Sequence, residues 1–73
     1  MKKIVVFGGS GFIGSHLCDL LSDKGYDVSV YDIIASKYLK KNQTMIVGDV
    51  LDQQLIDETI RGSDYVFHFA GIS

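Results

Sequence analysis

At 73 residues the chain is long enough for one domain, and a domain that small buries only about 60% of the surface its unfolded form exposes, which keeps its stability marginal. With 47% apolar residues, no proline and a net charge of -2, the composition excludes a disordered or disulfide-stapled chain, and it lacks the lysine and arginine surplus that a nucleic-acid binder needs. The single cysteine, Cys18, excludes an internal disulfide and points to a reducing, cytoplasmic setting with the thiol as a small core residue.

Met1-Lys2-Lys3 followed by Ile4-Val5-Val6-Phe7 imitates a secretory leader, but the apolar run stops at Gly8-Gly9-Ser10-Gly11. Ile4 to Phe7 is instead the continuous run expected of a parallel strand covered on both faces. No stretch of about 18 apolar residues is available to span a membrane, so no membrane partner is expected. From Phe12 to Lys24, the apolar residues Ile13, Leu17, Leu20 and Leu21 recur at helical spacing, and Gly25 follows as a left-handed terminator. Asp27 to Asp32 alternates apolar and polar and ends on a carboxylate, which makes a second strand.

Residues 33 to 43 form an irregular connection with room for a turn or two of helix around Ser36 to Lys41, where Lys37, Lys40 and Lys41 make a solvated face. Thr44 to Val47 is a third strand, closed by Gly48-Asp49. Asp52 stands at an N-cap position, with Leu51 and Ile56 placed as a hydrophobic staple and Leu55, Ile56 and Ile60 as the buried stripe of a helix from about Gln53 to Arg61. Asp64 to Phe69 is a fourth strand. This alternation specifies a doubly wound α/β sheet, and right-handed crossovers give strand order 3-2-1-4 with helices on both faces. The direction of winding reverses between strands 1 and 4, and ligands of such sheets bind at that crevice, outside the carboxyl ends of the strands.

Gly8-Gly9-Ser10-Gly11-Phe12-Ile13-Gly14 joins the first strand to the first helix and fits a dinucleotide fingerprint in two frames, Gly9-x-Gly11-x-x-Gly14 and Gly8-x-x-Gly11-x-x-Gly14. Gly8 or Gly9 would make the tight turn, Gly11 would admit a pyrophosphate close to the backbone, and Gly14 would pack the helix on the strand. The N–H groups of Phe12 and Ile13 would then face the phosphates at the positive end of the helix dipole. A lysine after the last glycine, as NTPase phosphate loops require, is missing. Asp32, eighteen positions past Gly14, can accept from the adenine ribose hydroxyls and repels a 2′-phosphate, selecting NAD over NADP; Lys37 is the nearby residue able to meet a phosphate instead.

These residues carry a resemblance to the extended short-chain dehydrogenase/reductases, the NAD-dependent epimerases and dehydratases of nucleotide sugars such as UDP-glucose 4-epimerase. Gly8 to Leu17 is similar to that family's opening loop and helix, Gly48-Asp49-Val50-x-Asp52 to its third-strand signature, and Val66-Phe67-His68-Phe69-Ala70-Gly71 to its fourth-strand motif. The resemblance implies a partial Rossmann fold in which residues 1–73 form a single N-terminal half-domain holding NAD or ADP-ribose. It implies that Asp49 and Val50 recognise adenine and that Phe69, Ala70 and Gly71 line the cofactor. It assigns structural roles to His16 and His68, because the family's chemistry uses a later Tyr-x-x-x-Lys helix. Tyr26, Tyr31, Tyr38 and Tyr65 are followed four positions on by Val30, Ala35, Asn42 and Phe69, so none supplies that motif.

The expectation is a nucleotide-binding front portion of such an enzyme, inactive alone, with the exposed fourth strand inviting a homodimer. A non-catalytic sensor of NAD redox state and a self-assembling folding unit are the other readings that these residues allow. A Tyr-x-x-x-Lys downstream of Ser73 would favour the enzyme.

Overall fold

A computed structural model of the chain describes residues 2–69. Its elements are β1 (Lys3–Phe7), α1 (Phe12–Asp23), β2 (Asp27–Asp32), β3 (Gln43–Val47), α2 (Gln53–Ile60) and β4 (Tyr65–His68). The strands form one parallel four-stranded sheet in the order β3-β2-β1-β4. All four carboxyl ends therefore lie along one edge, where the loops after β1, β2 and β3 meet.

β1 is central, and its side chains alternate between the two faces as the pleat requires. Ile4 and Val6 join Val28, Val30 and Cys18 in a cluster on the α1 face, with Leu21, Tyr26, Met45 and Phe69 packed against it. Val5 and Phe7 join Tyr31 on the opposite face, where Leu55, Ile56 and Ile60 of α2 cover them. The continuous apolar run of β1 has its cause here: each successive residue meets a different helix.

Four details differ from the sequence expectations. In α1 the buried residues are Gly14, Cys18 and Ser22, whereas Ile13 and Leu20 are 46% and 54% exposed. Small residues one helical turn apart let α1 lie close to the sheet, so the helix turns this narrow stripe inward. Residues 33–42 contain bends and a turn but no helix. Ile33, Ile34 and Tyr38 are exposed and offer no stripe to bury, while side chains take up the backbone donors: Tyr38 N–H bonds Ser36 Oγ at 3.4 Å and Lys40 N–H bonds Gln43 Oε1 at 3.0 Å. Leu51 is 87% exposed and forms no staple, because Ile56 is already packed on the sheet. Phe69, expected on the open edge, lies past the end of β4 and is half-buried against the α1-face cluster, its N–H bonded to Phe7 O at 2.7 Å.

The remaining boundaries agree to within a residue or two. Gly25 ends α1 with φ +89°, a conformation that an L side chain resists. Asp52 caps α2, accepting the Leu55 N–H at 3.1 Å. No helix among the described residues is long and apolar enough to cross a membrane.

Candidate functional site

The chain leaves β1 through Gly8, whose φ of +78° turns it sharply toward α1 and whose N–H bonds Tyr31 O at 2.8 Å. That resolves the two glycine frames: Gly8 makes the turn, and Gly9 is small for want of space. A Cβ on Gly9 would come within 2.7 Å of Val30 Cγ1 and 3.1 Å of Cys18 Sγ. A Cβ on Gly14 would strike Gly8 O and come within 2.9 Å of Gly9 Cα, so Gly14 lets α1 start directly against the turn.

Gly11 is different. Its φ is -74°, and a Cβ there would meet only Gly8 O at 3.4 Å, an ordinary contact. The protein itself does not require glycine at this position; the space beside it is open. Gly11 is the N-cap of α1 and provides no side-chain cap, so the N–H groups of Phe12 and Ile13 have no hydrogen-bond partner among the described residues. Phe12 is 80% exposed, its ring meeting His16 edge-on at 4.8 Å. His68 stacks on Phe7 at 5.4 Å. Both histidines make ring-packing contacts.

Asp32 closes the other side. Its Oδ2 accepts the Ser10 N–H at 3.1 Å and its Oδ1 accepts the Ile34 N–H at 3.4 Å. The carboxylate is therefore held in place by the glycine loop itself, with lone pairs left for further donors. Between the glycine loop, α1 and the loop after β2 lies a cavity of about 500 Å³, whose walls include Gly11, Ser15, Asp32, Ser36, Lys37 and Tyr38. Cys18 reaches the same cavity, but burial, reinforced by the Asp19 carboxylate, pushes its thiol up to about 11, which leaves it a weak nucleophile at neutral pH.

Of the residues expected to form the site, the cavity walls bring together Gly11 and Asp32; Gly8 and Gly14 shape the turn behind them. Asp49 and Val50 are exposed on the β3–α2 loop and are not among the cavity's walls. One Asp49 carboxylate oxygen caps its own turn, accepting the Leu51 N–H at 2.9 Å. Phe69 sits at the end of β4, and Ala70 and Gly71 lie outside the described residues. Sequence reasoning missed Ser10, whose N–H orients Asp32, and Tyr31, whose hydroxyl reaches Asp49. Ser10 had no signal beyond its place among glycines, and Tyr31 stands in phase with Asp27 and Ser29, the polar half of the β2 alternation, so nothing in the pattern marked it as buried.

The family model that matches the chain, over residues 4–73, is that of the NAD-dependent epimerases and dehydratases. The mouse sterol-4-alpha-carboxylate 3-dehydrogenase (decarboxylating) is 38% identical over 69 residues, covering 94% of this chain and 19% of that enzyme. The UDP-glucose 4-epimerase of Rhizobium meliloti is 37% identical over 75 residues, covering 97% of this chain and 23% of that enzyme. Among solved structures, UDP-glucose 4-epimerase from Brucella ovis in complex with NAD superposes with a TM-score of 0.81 at 36% identity, over 94% of this chain and 22% of that one. The chain thus spans about a fifth to a quarter of the length of the proteins it matches.

Proposed function

The chain belongs to the NAD-dependent epimerase/dehydratase family, and from that premise we propose that its 73 residues hold the ADP-ribose half of NAD. In this assignment Gly11, Phe12 and Ile13 meet the pyrophosphate, Asp32 the adenine ribose, and Asp49 and Val50 the adenine, while the family resemblance gives Phe69, Ala70 and Gly71 to the lining of the cofactor. One observation carries it: an open backbone position at Gly11 faces a carboxylate, Asp32, that the same loop fixes through Ser10 N–H. The unpartnered N–H groups of Phe12 and Ile13 suit an anion at the positive end of α1. The two Asp32 oxygens, each with one N–H already bound, suit a diol that donates. A 2′-phosphate would meet that negative charge and the exposed apolar side chains of Ile33 and Ile34.

NAD, when bound, would supply the hydride acceptor; the chain's own residues bind and orient its adenine half. The two relatives are named for a sterol carboxylate and for UDP-glucose, yet match this chain equally well. A segment common to enzymes of such different substrates supports a cofactor role and leaves substrate choice to the parts of those enzymes outside the match. We take the parent activity to be sugar-nucleotide epimerisation or dehydration, and this segment alone to bind without turnover, since no Tyr-x-x-x-Lys occurs in it.

Calorimetry on the 73-residue chain tests the assignment. The expected result is weak binding of NAD and weaker binding of NADP, with Asp32→Ala closing the gap between them. NADP bound more tightly than NAD would overturn the role of Asp32.

A further inference from the structure

Tyr31 is 1% exposed, its ring tilted against Phe7 at 4.8 Å between centroids, and its hydroxyl donates to Asp49 O at 2.7 Å. A buried hydroxyl at the inward face of a strand is costly unless it is bonded, and this one bonds outside the sheet, to the first turn of the β3–α2 loop. The fit is reciprocal. A Cβ on Gly48 would run into the Tyr31 ring and hydroxyl, so the loop gives up a side chain to seat the phenol.

The loop's other bonds start from the same place. Gly48 N–H bonds the carbonyl of Asp32 at 3.0 Å. Asp49 O, besides the phenol, accepts the Asp52 N–H at 3.1 Å, and the Asp49 carboxylate accepts the Leu51 N–H. The path from Asp49 to the N-cap of α2 is therefore built on one carbonyl that Tyr31 holds in place. The neighbouring residue, Asp32, faces the glycine loop through Ser10, and the Tyr31 carbonyl takes the Gly8 N–H. The dipeptide Tyr31-Asp32 thus touches both loops, the glycine loop through the Tyr31 carbonyl and the Asp32 carboxylate, the β3–α2 loop through the phenol and the Asp32 carbonyl. Burial raises the phenol's pKa above its ordinary value, and the Asp52 and Asp49 carboxylates push in the same direction, so the hydroxyl remains a donor throughout the neutral range.

We propose that Tyr31 is a positioning residue whose hydroxyl locks the β3–α2 loop where Asp49 and Val50 can meet an adenine ring. The functional half of this inference rests on the nucleotide assignment above; the locking itself does not. The variant Tyr31→Phe removes one oxygen and keeps the ring in its slot.

In the ligand-free chain, hydrogen exchange at the Leu51 and Asp52 amides should rise about five- to tenfold, the equivalent of one modest hydrogen bond, with the β1 amides unchanged. Calorimetry should show AMP affinity falling by about the same factor while affinity for inorganic pyrophosphate, which meets only the glycine loop, stays level. A general loss of stability would move both ligands together. Unchanged exchange at Leu51 and Asp52 overturns the lock, whether or not nucleotide binds. Faster exchange with AMP bound as tightly as by the wild type overturns the positioning role. A wild-type chain that binds neither AMP nor NAD, with exchange still sensitive to Tyr31→Phe, overturns the nucleotide assignment instead, and with it the functional half of this inference.

Discussion

Gly11 and Gly14 stand three residues apart and are glycine for opposite reasons. At Gly14 the obstacle is the protein's own backbone, Gly8 O and Gly9 Cα; at Gly11 a methyl group has room and an ordinary φ. The two substitutions should therefore separate stability from binding. Gly14→Ala should destabilise the fold by about 1–3 kcal/mol, the usual cost of overpacking, measured by urea unfolding. Gly11→Leu should cost about 1 kcal/mol of stability, since glycine is preferred over leucine at an N-cap, yet abolish NAD binding in calorimetry. Intact binding by Gly11→Leu would remove the pyrophosphate from this loop. The glycine spacing alone could not distinguish these cases, because the same letter answers a positive φ at Gly8, a close approach at Gly9 and Gly14, and an open space at Gly11.

The two helices begin in contrasting ways. α2 has a side-chain cap, Asp52 to Leu55 N–H, and its exposed face carries the pairs Gln53–Asp57 at 2.8 Å and Gln54–Glu58 at 3.4 Å. It is a short helix stabilised locally as well as by its packing on β1. Asp52→Ala should cost about 1 kcal/mol of stability in denaturant unfolding, the typical value of a lost cap. α1 has no such cap, and the N–H groups of Phe12 and Ile13 have no partner among the described residues, which leaves them to solvent or a ligand. Its close approach to the sheet also buries Ser22, whose hydroxyl has no partner among the described residues. Removing an unsatisfied hydroxyl and adding helix propensity, Ser22→Ala should stabilise the chain by up to about 1 kcal/mol; a lower urea midpoint for that variant would mean that Ser22 bonds something the structure does not show.

At the scale of the molecule, β3 and β4 are the two edge strands of the sheet, and β4 is the one whose four residues are all exposed. It pairs with β1, and its other edge meets no strand among the described residues. Tyr65, Val66 and Phe67 are 51%, 48% and 37% exposed, and the strand carries neither proline nor lysine to discourage pairing. A second copy added edge to edge and antiparallel, about a two-fold axis normal to the sheet, keeps each face on its own side. Residues facing each other must then have numbers summing to an even value. The register centred on Val66 places Tyr65 opposite the partner's Phe67 and Asp64 opposite the partner's His68, an aromatic pair and a polar pair of complementary character.

Burial of about 400 Å² of apolar surface in all, about 200 Å² from each chain, would contribute on the order of 10 kcal/mol at 25 cal/mol per Å², against association costs of about 4–15 kcal/mol. Since the two sides nearly cancel, association should be concentration-dependent. Light scattering of the 73-residue chain should show mass rising toward a dimer over a micromolar-to-millimolar series, and Val66→Lys with Phe67→Lys should hold it monomeric. A clean monomer across that series, with β4 amides exchanging freely, would rule this pairing out.

Element order, the parallel sheet and Asp32 beside a glycine loop were determined by the sequence itself, because they depend on short-range signals. An unbroken apolar run in β1, helical spacing in α1 and α2, a glycine stop at Gly25 and a carboxylate at a strand end each act within a few residues. Only the tertiary structure decided which side of α1 faces inward, that residues 33–42 remain irregular, that Leu51 stays in water, and that Tyr31 reaches across to Asp49. Those outcomes turn on how closely one surface can approach another. Gly14, Cys18 and Ser22 win over Ile13 and Leu20 because α1 starts directly against the Gly8–Gly9 turn, and Gly48 and Tyr31, seventeen residues apart in the chain, fit each other only once β2 and β3 are paired.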